Sequence, residues 1–217
     1  LVLLVVAGLL CAPVAIGLAC WTALRHGRGV DRAITPAVIA ISAVPEFVLG
    51  VVLVVIFATG FLHWFPAVSN LRPGGMPWEE WQSFALPALT LALMATPYIY
   101  RMTRAMMVEV LESDYIVAAR LRGVPRPRLL LQHALPNALA PTVQTLALTA
   151  TYLVGGAVVV ETLFNFPGVG PLLVDAVEHR DYPTIQPICL GLAILYTVVF
   201  IVADILSILL NPKGDWR

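Results

Sequence analysis

Five apolar runs, each close to the ~20 residues a helix needs to cross a bilayer, take up most of this chain. They extend from Leu1 to near Trp21, from near Ala37 to Leu62, from Phe84 to Met107, from Leu135 to Val160 and from Ile185 to Leu210. Hydrophobic residues make up 59% of the 217 and charged residues only 12%, with a mean hydropathy of +0.88. A soluble domain is nearer a quarter charged, and a water-soluble core of this size has no room for so much apolar surface. Lipid is therefore the solvent for much of the chain. The expected fold is all-α, a polytopic membrane helix bundle with five transmembrane helices, forming one domain over residues 1–217.

Pro13, Pro45, Pro97, Pro141 and Pro187 fall inside these runs. In a bundle the carbonyls freed by a proline can be satisfied by neighbours, so kinked spans are expected. Cys11, Cys20 and Cys189 also lie in apolar runs, with no CxxC spacing, and read as buried thiols. The chain starts at Leu1 inside an apolar run without an initiator Met, and we read it as a fragment lacking an upstream segment.

Orientation follows from the basic residues. Arg25, Arg28 and Arg32 follow the first run. Arg101, Arg104, Arg120, Arg122, Arg126 and Arg128 lie between the third and fourth, and Lys213 and Arg217 in the tail. That places eleven of the thirteen on one side, leaving Arg72 and Arg180 on the other. The positive-inside rule puts the larger group in the cytoplasm, together with the C-terminus. Glu79, Glu80, Asp175, Glu178 and Asp181 then face outward, with Trp64, Trp78 and Trp81 as interfacial anchors. Leu1 falls on the outer side, as expected if an N-terminal span is missing.

The polar stretch from Asp114 to Pro141 interrupts the membrane-like pattern. Small residues are spaced through it: Ala118 and Ala119, Gly123 four positions on, and Leu135-Pro136 twelve positions after the glycine. This suits a short helix from about Asp114 to Leu121, a tight turn at Gly123, and a helix restarting near Pro136. Small outward-facing side chains let another protein's backbone approach, so the loop, about residues 109–134, reads as a docking element.

With Asp114-Tyr115, Ala118-Ala119-Arg120, Gly123 and His133-Ala134-Leu135-Pro136-Asn137, this block resembles the EAA loop of bacterial ABC importer permeases. That pattern is Glu-Ala-Ala, three residues, Gly, nine residues, Ile, one residue, Leu-Pro. Val117 stands at the glutamate position and His133 at the isoleucine position, departures found in the branch that imports dipeptides, oligopeptides or nickel. Downstream, Glu161-Thr162-Leu163-Phe164, Phe166-Pro167-Gly168-Val169-Gly170 and Arg180-Asp181-Tyr182-Pro183 are similar to the B-type permease of that branch. Ala43-Val44-Pro45 resembles its Ser-Ile-Pro-Ser helix start, with Glu46 in place of the second serine.

The resemblance implies a type I importer in the bacterial cytoplasmic membrane. Its partners would be a second, C-type permease subunit, two cytoplasmic ABC ATPases, an extracytoplasmic solute-binding protein and membrane lipid, with no nucleic acid. Asp114, Tyr115, Ala118, Ala119, Arg120, Gly123, Arg126, Arg128, Leu135 and Pro136 would form the ATPase-coupling site. Pro45, Glu46, Glu161, Phe164, Phe166, Pro167, Gly168 and Gly170 would belong to the translocation path or its outer gate. Peptide is the first expectation for the cargo and nickel the second, with haem or an oligosaccharide still open.

The residues alone support part of this. There is no Walker A loop, so ATP and Mg would bind in partner subunits and this chain would carry no cofactor of its own. His26, His63, His133 and His179 are scattered without metal-ligand spacing, and neither GxSxG nor HExxH occurs, so no catalytic or metal residue is expected. A gradient-driven secondary transporter is the main rival, but its inverted repeats are not visible.

Several residues also have plainer readings. Arg101 and Arg104 could act only as topology determinants. The segment from Phe166 to Gly170 is either a simple turn or a re-entrant outer loop in which Phe164 and Phe166 dip into the interface. Glu46 is expected to face the inter-subunit path or pair with a base. Asp204, costly in lipid, is expected to make a buried interhelical hydrogen bond.

Overall fold

The computed structural model describes residues 2–60, 62–69, 80–125, 128–129 and 134–210. Among these the secondary structure is helical: α1 (Val2–Ala23), α2 (Gly29–Ile41), α3 (Glu46–Val54), α4 (Trp81–Glu112), α5 (Asp114–Leu121), α6 (Leu135–Leu163), α7 (Val169–Glu178) and α8 (Tyr182–Leu210). A π-helical turn, Val55–Thr59, continues α3. Of these, α1, α4, α6 and α8 hold stretches long and apolar enough to cross a membrane, and α2 with α3 forms a fifth span if the pair is taken together.

The second apolar run is not the continuous span expected from the sequence. The chain breaks between Ile41 and Glu46, and the helices on either side are bent by 101°. Pro45 sits at the N-cap of α3 rather than inside a helix. Its ring disfavours helical dihedrals in the residue before it, which here ends the helix instead of kinking it. Pro13, Pro36, Pro87, Pro97 and Pro187, by contrast, are accommodated within α1, α2, α4 and α8.

Helix α4 is the central element, packing against α1, α2, α3 and α6. The seam with α1 is a row at every fourth residue, Leu3, Ala7, Cys11, Ala15, Ala19 and Ala23, all almost fully buried. One face of α1 is thus reduced to small side chains, which lets two helix backbones come close where no hydrophobic effect drives them together. Buried threonines return their hydroxyls to their own helices: Thr22 to Leu18 O, Thr90 to Leu86 O, Thr96 to Ala92 O and Thr142 to Ala138 O. None of those hydroxyls is left to face hydrocarbon unpaired.

Helix α8 is the opposite case. Only 6% of its most apolar window is buried, because it meets the rest of the chain mainly along α6 and α7. Asp204 lies on its exposed side, with no hydrogen bond or ion pair among the described residues. The expected interhelical hydrogen bond is therefore absent among the described residues. The residue that α8 turns toward the bundle at this level is the neighbouring Ala203, which is buried.

Candidate functional site

The element expected to dock a partner begins where α4 ends. Ser113 takes an extended conformation (φ −67°, ψ 148°) and its carbonyl accepts from the N–H groups of Ile116 and Val117, starting α5 at a new angle. Ile116 is fully buried and fixes the helix to the body. Nearly everything else on α5 points outward: Asp114, Tyr115, Val117, Ala118, Arg120 and Leu121 are exposed and Ala119 is half-buried. Leu121 is 84% exposed, an unusual condition for a leucine in a short helix with a polar surround.

Gly123 follows with φ +81°, a left-handed conformation that an L side chain resists. Its N–H donates to Arg120 O and that of Val124 to Ala119 O, closing the helix end. Among the described residues a Cβ added there would meet nothing within 4 Å, so the dihedral and not crowding is what calls for glycine. The helix, turn and restart expected from the spacing are all present, with α6 beginning at Leu135 and Pro136 in its first turn. Arg128 is exposed, whereas Arg126 and His133 lie outside the described residues.

Beside α5 lies a cavity of about 590 Å³ whose walls include Arg25, His26, Arg28, Glu112 and Arg120. Arg25 is drawn to one edge by a cation–π contact, 5.0 Å from the Trp21 ring centroid.

Next to this cavity is a buried polar network that the sequence did not reveal. Asp31, in the first turn of α2, is 4% exposed. Arg104 Nε lies 2.8 Å from its Oδ1 and Nη2 2.8 Å from Oδ2. The Gly27 N–H and the Thr35 hydroxyl donate to the same carboxylate at 3.0 Å, and His26 Nδ1 is 3.2 Å away. From Thr35 the chain of hydroxyls continues to Tyr100 (2.8 Å) and Thr22 (3.0 Å), joining α2, α4 and α1. Arg104 is thus part of a structural clamp on α4, ahead of the loop at residues 109–134.

At the other end of the bundle, Glu161 is 7% exposed and its Oε2 accepts from the Gly170 N–H at 2.7 Å. The carboxylate caps the N-terminus of α7, where unpaired N–H groups and the helix dipole favour negative charge. Two glycines make this approach possible. A Cβ on Gly168 would collide with the Glu161 carboxylate, and one on Gly170 would lie 2.8 Å from the backbone of Val158.

Phe164 and Phe166 are both buried, Phe166 edge-on to Phe84 at 4.9 Å, and Phe164 O accepts from the Ser69 N–H. The two rings anchor this loop in the core instead of dipping into the interface, with exposed Pro167 between them and α7. Trp64 and Trp81 are exposed at this same end, around Phe57 and Phe65. Beyond α7, His179 Nδ1 lies 2.9 Å from Asp175 O and 3.3 Å from its carboxylate, contacts that raise the imidazole pKa.

Midway along the bundle the α2–α3 break opens a cavity of about 150 Å³. Half-buried Glu46 lines it with exposed Pro45 and Ser42, and so do Tyr98 of α4 and Tyr152 of α6, whose rings are 5.2 Å apart.

The expected site residues thus separate into an exposed short helix, a capped loop at the other end of the bundle and a polar pocket at the break. Sequence reasoning missed Leu121, Val117 and Ile116 as the apolar surface and anchor of α5. It also missed Asp31 with Tyr100, and Tyr98 with Tyr152.

Residues 15–214 match the family described as binding-protein-dependent transport system inner membrane component. The chain is 39% identical over 196 residues to the glutathione transport system permease protein GsiC of Escherichia coli (strain K12), covering 90% of this chain and 61% of that protein. To its counterpart in Salmonella choleraesuis (strain SC-B67) it is 40% identical over 204 residues, 94% of this chain and 63% of that one. The chain therefore spans about three fifths of the length of these relatives. Its fold is similar to that of a chain in the inward-facing MetNI methionine ABC transporter, CY5 native crystal form. The TM-score is 0.78 at 16% identity, over 97% of this chain and 92% of that one.

Proposed function

Since this chain belongs to the family of binding-protein-dependent transport system inner membrane components, we propose that it is a permease subunit of an ATP-driven ABC importer. In this reading it forms half of a solute path across the bacterial inner membrane, paired with a second permease and with its C-terminus in the cytoplasm. Two ATPases would supply the force and an extracytoplasmic binding protein the solute.

The observation that carries the reading is α5. It is a short helix held by one buried residue, Ile116, and turned so that Tyr115, Val117 and Leu121 stand exposed beside Arg120. Exposed apolar side chains on a cytoplasmic loop make sense when another protein covers them. A rigid anchor on α4, which runs through the centre of the bundle, gives such a contact a lever on the path.

For the cargo, the relatives named for glutathione transport favour a small peptide over nickel. Glutathione is itself a peptide with a free amino group, which agrees with the dipeptide and oligopeptide expectation. Proteoliposomes holding the complete complex, with ATP inside and solute-loaded binding protein outside, test both points. Accumulation of labelled glutathione or a dipeptide that requires ATP is the expected result. Accumulation driven by a proton or sodium gradient without ATP would overturn the reading in favour of a secondary transporter.

A further inference from the structure

Glu46 has no ion pair or hydrogen bond among the described residues, although it lies in the first turn of α3 at the break of a membrane span. Its depth follows from its neighbours: Tyr98 is midway along α4 and Tyr152 just past midway along α6, and both line the same cavity. An unpaired carboxylate at that depth is strongly disfavoured against lipid tails, and such residues face water-filled cavities in the protein. The positive end of the α3 dipole helps hold the charge there but does not neutralise it. Two phenol rings line the same cavity as the carboxylate, and Tyr152 is within electrostatic reach of both Tyr98 and Glu46.

One fixed negative charge beside two aromatic rings with hydroxyl acceptors suits a cation of ammonium type. It offers Coulomb attraction, hydrogen-bond acceptors and cation–π faces together. Among the described residues no group of three His, Cys, Asp or Glu side chains comes together, so this is not a chelating set.

We propose that Glu46, Tyr98 and Tyr152 form a cation waypoint in the translocation path, which takes the ammonium group of the passing solute. This rests on the permease reading, in which the open face at the α2–α3 break lines the path. The pocket is small and open, so it holds one charged group briefly and selects by charge rather than by the whole solute.

The test uses the complete complex in lipid nanodiscs, with Cys11, Cys20 and Cys189 replaced by alanine and a thiol placed by Ser42→Cys. Ser42 is exposed and lines the cavity without being one of the three ligands. Two thiosulfonate reagents of similar size serve as probes, one ending in trimethylammonium and one in sulfonate. Their rates are read from the intact mass of this chain and normalised to free cysteine. With Glu46 present the ammonium reagent should react preferentially, and Glu46→Gln should lower that preference roughly tenfold. Tyr152→Phe should lower it less. An unchanged ratio in Glu46→Gln, or no reaction with either reagent, overturns the proposal. Where Ser42→Cys does not assemble, Ala43→Cys, also exposed on the cavity, gives the same reading. The measurement needs no turnover, so a failure of ATP-driven uptake would count against the permease reading while the rate ratio still judges the site.

Discussion

Arg104 on α4 grips Asp31 on α2 with two prongs, Nε to Oδ1 and Nη2 to Oδ2, each 2.8 Å long. Across 73 residues of sequence this pair ties the start of α2 to the central helix, and His26, Thr35, Tyr100 and Thr22 extend it to α1.

Removing Arg104 leaves the Asp31 carboxylate buried without its ion pair, and removing Asp31 leaves the half-buried guanidinium without its own. Asp31→Asn and Arg104→Gln are each expected to destabilise the purified chain by about 3 kcal/mol. The double variant should cost less than the two singles combined, since neither charge is then left alone. Thermal unfolding in detergent, followed with a thiol-reactive dye or by fluorescence-detected gel filtration, checks this. Additive losses would mean that the pair is not coupled.

The loop that carries Phe164 and Phe166 depends on one capped helix end. Glu161→Ala leaves the Gly170 N–H without its acceptor and is expected to cost about 1–3 kcal/mol. Gly170→Ala should cost a similar amount for another reason, because its Cβ would stand 2.8 Å from the Val158 backbone. Faster proteolysis between Phe164 and Asp181 in both variants is the expected readout. Wild-type protease resistance would show that the loop is held elsewhere.

Topology gives a third expectation. Thiols placed at position 28 should be protected from an impermeant reagent in sealed right-side-out cells, and thiols at position 175 should react. The background again lacks Cys11, Cys20 and Cys189. Labelling at 28 without labelling at 175 would reverse the orientation drawn from the basic residues.

Much of the helical layout was legible because length and hydropathy determine it. Four long apolar helices lie where the runs predicted, and the turn at Gly123 follows from the spacing around it. The break before Glu46 was only half legible: Pro45 was visible, but whether a proline kinks a helix or ends it depends on the packing around it. The seam of Leu3, Ala7, Cys11, Ala15, Ala19 and Ala23 was written in the sequence at a spacing of four. It went unnoticed because in an almost wholly apolar helix the buried face differs from the lipid face in size and not in polarity. The pairs Asp31–Arg104 and Tyr98–Tyr152 bring together residues on different helices, and no local pattern signals them. Phe164 and Phe166 looked like interfacial rings because of their loop setting, whereas the structure packs them inward against Phe84 and the Gly50 region.

The most direct measurement is the stimulation of ATPase activity by loaded binding protein in purified complexes carrying Gly123→Leu. The turn after α5 holds φ at +81°, where a leucine is strained by about 1–2 kcal/mol, which shifts any balance between a seated and a displaced helix by roughly five- to thirtyfold. Among the described residues nothing lies within 4 Å of the added Cβ, so the substitution acts on the turn and not on the helix packing. If α5 transmits force from the ATPases, the variant complex should insert and bind solute-loaded binding protein yet lose most of its stimulated hydrolysis. Full stimulated activity in an intact Gly123→Leu complex would contradict the coupling role.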